Sequence, residues 1–245
     1  EVCRKLFTRD NLLVSYTAGE DGFGTLNEKV KEFADSLPAG GERYPFEWVR
    51  GNRNEGFKSS SQVNYVARCG NFREKGYEYT GALRILKVML SYDYLWINIR
   101  VKGGAYGCMS GFGRSGEGYL VSYRDPNLRE TNAVYEGVTD YLRNFQAYER
   151  DMTKFVIGTI SDLDTPLTPS IRGSRGLSAY LSGVTQEMMQ KERDQVLSAT
   201  VEDIRALADI VQAILDTGAF CVVGNEDRIE GAKDLFKETK NLYQA

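Results

Sequence analysis

An arginine and a tyrosine on either side of a glycine turn are the side chains best suited to act on a carbonyl group. The stretch reads Arg100-Val101-Lys102-Gly103-Gly104-Ala105-Tyr106-Gly107. A guanidinium and a phenolic hydroxyl can each donate hydrogen bonds to a carbonyl oxygen, or to the oxyanion that forms when the carbonyl is attacked. The pair supplies no nucleophile, so it is at most half of an active site.

The composition narrows the chemistry further. The 245 residues contain no histidine, which excludes a Ser-His-Asp triad, a Cys-His pair and a histidine-ligated metal. Cys3, Cys69, Cys108 and Cys221 are widely spaced and form no C-x-x-C motif, so we expect free thiols in a reducing compartment. The sequence therefore predicts that this chain itself holds no metal and no cofactor.

A helix, a turn and a strand are predicted to position the arginine and the tyrosine. Asp93 can cap a short helix in which Leu95 and Ile99 share one face. The glycine pair that follows allows backbone angles that side chains with a Cβ resist, so the helix ends and the chain turns there. The same local features also fit an ordinary helix–strand junction with a surface arginine and a half-buried tyrosine.

Hydrophobic patterning predicts an α+β fold, with one antiparallel sheet and helices packed on one face. The predicted strands are 62–67, 105–112, 118–123 and 219–223. Helices are predicted at 79–92, after an Asp125-Pro126 cap, near 152–161, 170–183 and 186–198, at 201–216 behind a Thr200-x-x-Asp203 cap, and at 227–240. An antiparallel arrangement is favoured because the pattern lacks a βαβ rhythm.

The first 55 residues are predicted to be separate from the rest. Residues 11–17 have the pattern of a short apolar strand, and a capping box at 25–28 begins a helix. Residues 41–61 are polar and aperiodic, as a linker would be. We therefore predict a terminal strand–helix unit with its linker at 1–55 and an α+β domain at 56–245.

Charge and hydropathy exclude several classes of protein. A formal net charge of −3 argues against a general nucleic-acid or membrane-surface role, and we find no apolar run of about eighteen residues that would span a bilayer. The chain begins without methionine or a signal segment, which indicates a piece of a longer polypeptide. We expect it in the bacterial cytoplasm or an organelle interior, and not secreted.

The G-x-G-x-x-G match at 111–116 raises a nucleotide-binding alternative. That fingerprint requires a helix after the glycines, because the pyrophosphate binds at the helix N-terminus. A strand-like segment, 118–123, follows instead. The pattern therefore favours the tip of a β-hairpin.

Five motifs in fixed order resemble one known family. They are Tyr94-Leu95-Trp96, the 100–107 turn, Ser122-Tyr123-Arg124-Asp125-Pro126-Asn127-Leu128, Gly158-Thr159-Ile160-x-Asp162-x-Asp164 and Leu181-x-Gly183-Val184-Thr185. Together they resemble the C-terminal half of presequence-protease-type metallopeptidases, a branch of the insulinase-like (pitrilysin) family. The resemblance covers nearly the whole chain.

The resemblance implies a division of labour between two halves of one polypeptide. In this family an H-x-x-E-H helix and a distal glutamate hold the catalytic zinc in the N-terminal half, which this sequence lacks. The two halves close around a short unfolded peptide, and the C-terminal half supplies an arginine and a tyrosine. By motif match these are Arg100 and Tyr106, with Gly104 also at the substrate. The chain alone is then expected to be inactive.

Two readings of the resemblance stay open. The chain can be part of a working peptidase, or it can belong to a catalytically inactive relative that acts as a scaffold or assembly subunit. Retention of both Arg100 and Tyr106 favours the peptidase, because a scaffold has no need of the pair. An H-x-x-E-H helix upstream of Glu1 would decide between them.

Overall fold

The computed structural model describes residues 1–40, 47, 51 and 53–243. It divides into two compact units, the first made of Glu1–Arg50 with Thr165–Met188 and the second of Gly51–Asp164 with Met189–Ala245. Arg100, Gly104 and Tyr106 all belong to the second unit. The predicted division between 1–55 and 56–245 stays a prediction.

One mixed β-sheet organises the described part of the second unit. Its strands are β1 (Asn54–Ser59), β2 (Asn64–Asn71), β3 (Gly107–Phe112), β4 (Glu117–Asp125), β5 (Ala219–Asn225) and β6 (Glu238–Asn241). They lie in the order β3-β4-β2-β5-β1-β6. The four predicted strands, β2 to β5, pair antiparallel as expected, whereas β1 runs parallel to β5 and β6.

Helices of the second unit pack on one face of this sheet. Within the described residues the α-helices are α1 (Val2–Leu6), α2 (Phe23–Ser36), α3 (Ala82–Met89), α4 (Arg129–Glu136), α5 (Val138–Arg143), α6 (Glu149–Leu163), α7 (Pro169–Ser182), α8 (Gln186–Leu197), α9 (Val201–Leu215) and α10 (Glu226–Gly231). Alternate strand residues such as Val66, Leu120 and Phe220 are buried against helical side chains such as Leu207 and Ile214. The α+β fold with helices on one face is confirmed.

Among the described residues of the second unit, no helix packs its core side chains on the opposite face of the sheet. Its side chains alternate with the buried ones and stay exposed, as at Tyr65 and Tyr119. Two tyrosines of β4 lie over glycines of β3, because a Cβ at Gly107 or Gly111 would come within 2.5 Å of the Tyr123 or Tyr119 ring. We call this surface the open sheet face.

Most predicted helices are confirmed, and one predicted cap is seen in full. The Thr200 hydroxyl accepts a hydrogen bond from the Asp203 backbone N–H at 3.2 Å, and the Asp203 carboxylate accepts one from the Thr200 N–H at 2.8 Å. Two orphan donors at the start of α9 are thereby satisfied. Within the glycine-rich segment 111–116, residues 113–116 connect β3 to β4, so the hairpin interpretation is also confirmed.

The predicted strand at 11–17 is wrong. After a short 3₁₀ turn at Arg9–Asn11 the chain has no regular secondary structure through Thr17, and Leu13 and Val14 are 50% and 46% exposed. An apolar run forms a stable strand only when a neighbouring strand can pair with it. The capping box at 25–28 is not used either, because α2 already begins at Phe23 with Gly22 as its N-cap.

Two further elements differ from prediction at the other edge of the sheet. The predicted linker at 41–61 contains β1, although residues 41–46, 48–50 and 52 lie outside the described residues. The predicted helix at 227–240 is wrong beyond Gly231, because the chain leaves α10 to form β6. Phe236 explains the change: its ring stacks on Phe220, with centroids 5.3 Å apart, and this contact draws the segment onto the sheet.

The predicted short helix behind an Asp93 cap is wrong as well. The helix α3 continues without a break through two π-helical segments, Leu90–Tyr94 and Trp96–Val101, so Asp93 lies inside a helix. π-helical turns are rare and are frequently found at functional sites. Among the helices described, none is both long and apolar enough to cross a bilayer.

Candidate active-site turn

The two glycines after the π-helical segment have different structural roles. Gly104 has φ +78° and its N–H donates to the Arg100 carbonyl at 3.0 Å, a left-handed helix end that glycine adopts without strain. Gly103 is needed for space, because a Cβ there would lie 2.5 Å from the Ile99 carbonyl oxygen. Together they turn the chain from the helix into β3.

Arg100 lies in the last helical turn and is half-buried. Its guanidinium carbon is 3.9 Å from the centre of the Trp96 ring, a close cation–π contact between residues one turn apart. No carboxylate in the described part of the chain forms an ion pair with Arg100. The flat guanidinium is therefore held in place by stacking while its N–H donors stay available.

Tyr106 lies immediately before β3 and is 62% exposed. Its ring centroid is 5.7 Å from that of Tyr123, and the guanidinium carbon of Arg124 is 5.5 Å from the ring centre. Its backbone N–H donates to the Arg124 carbonyl at 3.2 Å. Its hydroxyl has no hydrogen-bond partner among the described residues.

The structure places Arg100 and Tyr106 on the two sides of one turn, as predicted, but does not join them directly. Each has its own aromatic neighbour, and no hydrogen bond connects their side chains among the described residues. Their polar ends are two separate donors. The arrangement can serve two neighbouring acceptors on one ligand.

A buried network below the turn fixes its position. The Asp125 carboxylate is fully buried and accepts from the Asn127 N–H at 2.9 Å and from the Thr131 hydroxyl at 2.8 Å. The Asn127 side-chain amide donates to the Gly103 carbonyl at 2.6 Å. The predicted N-cap role of Asp125 is thus wrong, because α4 begins only at Arg129 and the carboxylate fastens the turn instead.

The pKa of the Cys108 thiol reflects the burial and the charges next to the turn. Burial raises the pKa of its thiol to about 11, the nearby Asp125 carboxylate adds to the rise, and the positive charge of Arg100 opposes it. The thiol therefore stays protonated near neutral pH and is a poor nucleophile. Cys108 is an unsuitable catalytic residue here.

An apolar cavity on the open sheet face lies beside the turn. Its volume is about 410 Å³, and Tyr65, Met109, Val121, Tyr123 and Val223 are among the side chains that line it. Tyr123 also contacts Tyr106, so the cavity begins at the tyrosine pair. An extended, largely apolar ligand could lie there with its polar backbone next to Tyr106.

Sequence reasoning missed two side chains that the structure brings to Tyr106. Tyr123 and Arg124 lie within the 122–128 motif, but that motif gave neither of them a role. The sequence carries no local signal for either, because the burial of Asp125 and the positive φ of Arg124 appear only in the structure. No group of three or more Cys, Asp or Glu side chains in the described residues lies close enough to hold a metal ion.

The fold is similar to that of solved peptidase domains. The chain is similar to the peptidase M16 inactive domain from Pseudomonas fluorescens, with a TM-score of 0.57 and 14% identity over 91% of this chain and 52% of that one. Pitrilysin gives a TM-score of 0.57 at 16% identity, over 83% of this chain and 23% of pitrilysin. At such low identity these likenesses show the fold alone.

The family follows from the sequence comparisons. The family model "PreP C-terminal domain" matches residues 54–225, and the chain belongs to this family. It is 42% identical to protein HypA of Clostridium perfringens over 98% of this chain and 25% of HypA. It is 33% identical to presequence protease 1, chloroplastic/mitochondrial, of Arabidopsis thaliana over 100% of this chain and 23% of that protein. The chain thus spans about a quarter of these relatives' length.

Proposed function

We propose that this chain is the C-terminal, zinc-free part of a zinc metalloendopeptidase that degrades short unfolded peptides. In the full-length protein it closes over a zinc-bearing N-terminal half and supplies Arg100 and Tyr106 to the site. One observation carries the proposal: two side-chain donors without a polar partner among the described residues lie on one rigid glycine turn, beside an apolar cavity.

The residues of this chain do not fit a zinc site. The sequence has no histidine, and the described Cys, Asp and Glu side chains form no cluster of three. The proposal therefore assigns zinc to the other half of the polypeptide, and gives this chain the work of binding and orienting the peptide.

Tyr106 has the chemistry to stabilise charge on a peptide carbonyl. When that carbonyl is attacked its oxygen becomes negative, and a donor already aimed at it lowers the barrier. In the proposal the Tyr106 hydroxyl donates to the oxygen of the scissile carbonyl or of its neighbour. Arg100 donates to an adjacent backbone carbonyl and fixes the register of the peptide, with Gly104 allowing close approach.

The cavity supports the choice of substrate. It is open and apolar, and it lies along a sheet instead of forming a deep pocket. An unfolded peptide can place side chains there while its backbone runs past Tyr106, whereas a folded protein exposes few such segments. The partners in this proposal are an unfolded peptide and the N-terminal half of the same polypeptide. The compartment is a bacterial cytoplasm or an organelle interior.

Removing a single hydroxyl tests the proposal. In the full-length protein, Tyr106→Phe should lower kcat on a fluorogenic peptide about 10²–10³-fold, the cost of losing an oxyanion donor, while zinc content and thermal stability stay unchanged. Tyr92→Phe is the matched control, because Tyr92 is 72% exposed on the preceding helix, and we expect it to be silent. Near-normal turnover of Tyr106→Phe would show that Tyr106 is only part of a structural turn, whereas no turnover by the unaltered full-length protein would favour the scaffold alternative.

A further inference from the structure

Arg124 has a left-handed backbone conformation, which is energetically unfavourable for a residue with a side chain. Its φ is +47°, and it is the single non-glycine residue with positive φ among those described. Bulky L-residues avoid this left-handed region, and those that adopt it cluster at functional sites. A glycine would fit here without strain. The presence of an arginine therefore needs an explanation from its side chain.

Strand pairing and a buried hydrogen bond hold the backbone around Arg124 in place. The pairing of β2 with β4 shifts register between Asn64 and Val66, and such irregularities re-aim a side chain at the edge of a site. The next residue, Asp125, is fully buried, and its carbonyl accepts a hydrogen bond from the Asn64 amide at 3.0 Å. Arg124 is thus fixed at the end of β4 opposite Tyr106.

Arg124 contacts Tyr106 through both its backbone and its side chain. Its carbonyl accepts the Tyr106 N–H at 3.2 Å, and its guanidinium carbon lies 5.5 Å from the centre of the Tyr106 ring. It forms no ion pair with any carboxylate in the described ranges. An exposed tyrosine would otherwise exchange freely between rotamers, but Arg124 and Tyr123 both lie against this ring.

We propose that Arg124 is a positioning residue that holds the Tyr106 ring, and with it the hydroxyl, in the orientation needed at the peptide carbonyl. The cation–π contact supplies the holding force, and the left-handed backbone places the guanidinium over the ring. This inference rests on the function proposed for Tyr106. It adds a residue that acts on the substrate only through Tyr106.

Arg124→Gly in the full-length protein removes the side chain while leaving the backbone conformation intact, so it tests what the side chain does. Glycine accepts the φ of this position, so the thermal unfolding midpoint should stay the same or rise. The kcat on a short peptide should fall about two- to fivefold, the scale of losing a cation–π contact at an exposed site, with KM nearly unchanged. Arg124→Lys keeps a cation and should recover part of the turnover.

A double-mutant cycle with Tyr106→Phe decides between positioning and a general structural role. If Arg124 acts through the Tyr106 hydroxyl, Arg124→Gly should cost almost nothing further in the Tyr106→Phe background. Full additivity, or a fall in thermal stability that matches the loss of turnover, would overturn the inference.

The failure of the inference can be told apart from that of the proposed function. If Tyr106→Phe lowers kcat but Arg124→Gly does not, the positioning role is wrong and the function of Tyr106 stands. If Tyr106→Phe itself leaves kcat unchanged, the proposed function fails and the role of Arg124 fails with it.

Discussion

Strand β3 has a glycine turn at each end, and the arginines of the two turns have opposite surroundings. At its start, Arg100 stacks on Trp96 and has no carboxylate partner in the described parts of the chain. At its end, Arg114 forms an ion pair with Glu192, a side chain only 3% exposed that also pairs with Arg84. An ion pair holds the hairpin tip in place, whereas a network of buried hydrogen bonds holds the first turn in place.

This difference separates a structural arginine from one that is available to a ligand. A buried carboxylate needs its cations, because an uncompensated charge in the interior is costly. Arg114 is thereby committed to the fold, although it lies within the G-x-G-x-x-G segment that resembles a ligand-binding motif. Arg100, in a turn without such a motif, keeps its donors free. The partner of each arginine, more than the pattern around it, indicates its role.

Removing the buried carboxylate should have the largest effect. Glu192→Ala removes the shared partner of two arginines, and with each charge-assisted hydrogen bond worth about 1.5–3 kcal/mol we expect the free energy of unfolding to fall by about 3 kcal/mol, measured by urea unfolding. Asp164→Ala is the control, because Asp164 pairs with the adjacent Arg193 at 2.6 Å but both side chains are well exposed. A comparable loss for both variants would contradict the distinction between buried and exposed pairs.

Removing the unpaired arginine should affect substrate and leave stability nearly unchanged. Arg100→Ala in the full-length protein should lower kcat/KM for a short peptide about 10–100-fold, mainly through KM, because a charge-assisted hydrogen bond is lost. Lys102→Ala removes a cation two residues away on the exposed side and should change kcat/KM little. If both variants have equal effects, Arg100 contributes only general positive charge.

The turn itself is tested by Gly104→Ala. At φ +78° a Cβ costs about 1–2 kcal/mol of stability. The nearest atom to that Cβ, in Pro126, would be 3.7 Å away, so the cost is conformational and not steric. Gly158→Ala inside α6 should have the opposite sign, because alanine is the better helix residue by up to about 1 kcal/mol. An unchanged midpoint for Gly104→Ala would contradict a strained left-handed position.

The sequence predicted this turn correctly because its signals are local. Two glycines after an amphipathic helix require a turn whatever lies around them, and the position of Arg100 and Tyr106 follows from their spacing. The buried strand β5 and the capped helix α9 were predicted correctly for the same reason. Local rules suffice where a segment's own residues determine its conformation.

The errors fall where distant contacts decide the structure. Residues 11–17 look like a strand but find no strand to pair with, and the segment after Gly231 becomes β6 because Phe236 stacks on Phe220. Arg124 could not be singled out for the same reason. Its positive φ and its contact with Tyr106 both depend on how β4 meets β2 and on the buried Asp125, which lie outside any local pattern.

The prediction with the smallest expected effect concerns the reactivity of Cys108, which tests whether another group neutralises the charge of Arg100. Burial raises the pKa of the Cys108 thiol to about 11, and Arg100 opposes the rise. With such a pKa only about one thiol in a thousand is ionised at pH 8, so alkylation should be slow and should accelerate about tenfold per pH unit. Arg100→Ala removes the opposing charge, so the pKa should rise further and Cys108 should react more slowly, by a few-fold.

Alkylation of Cys108 can be followed by mass spectrometry of the intact site peptide over time. Cys3, which is exposed, serves as the internal standard and should react at the same rate in both proteins. Lys102→Ala controls for a general loss of positive charge and should leave Cys108 unchanged. If Arg100→Ala does not slow the reaction, the guanidinium charge is already neutralised, and the contrast between the two ends of β3 loses its electrostatic basis.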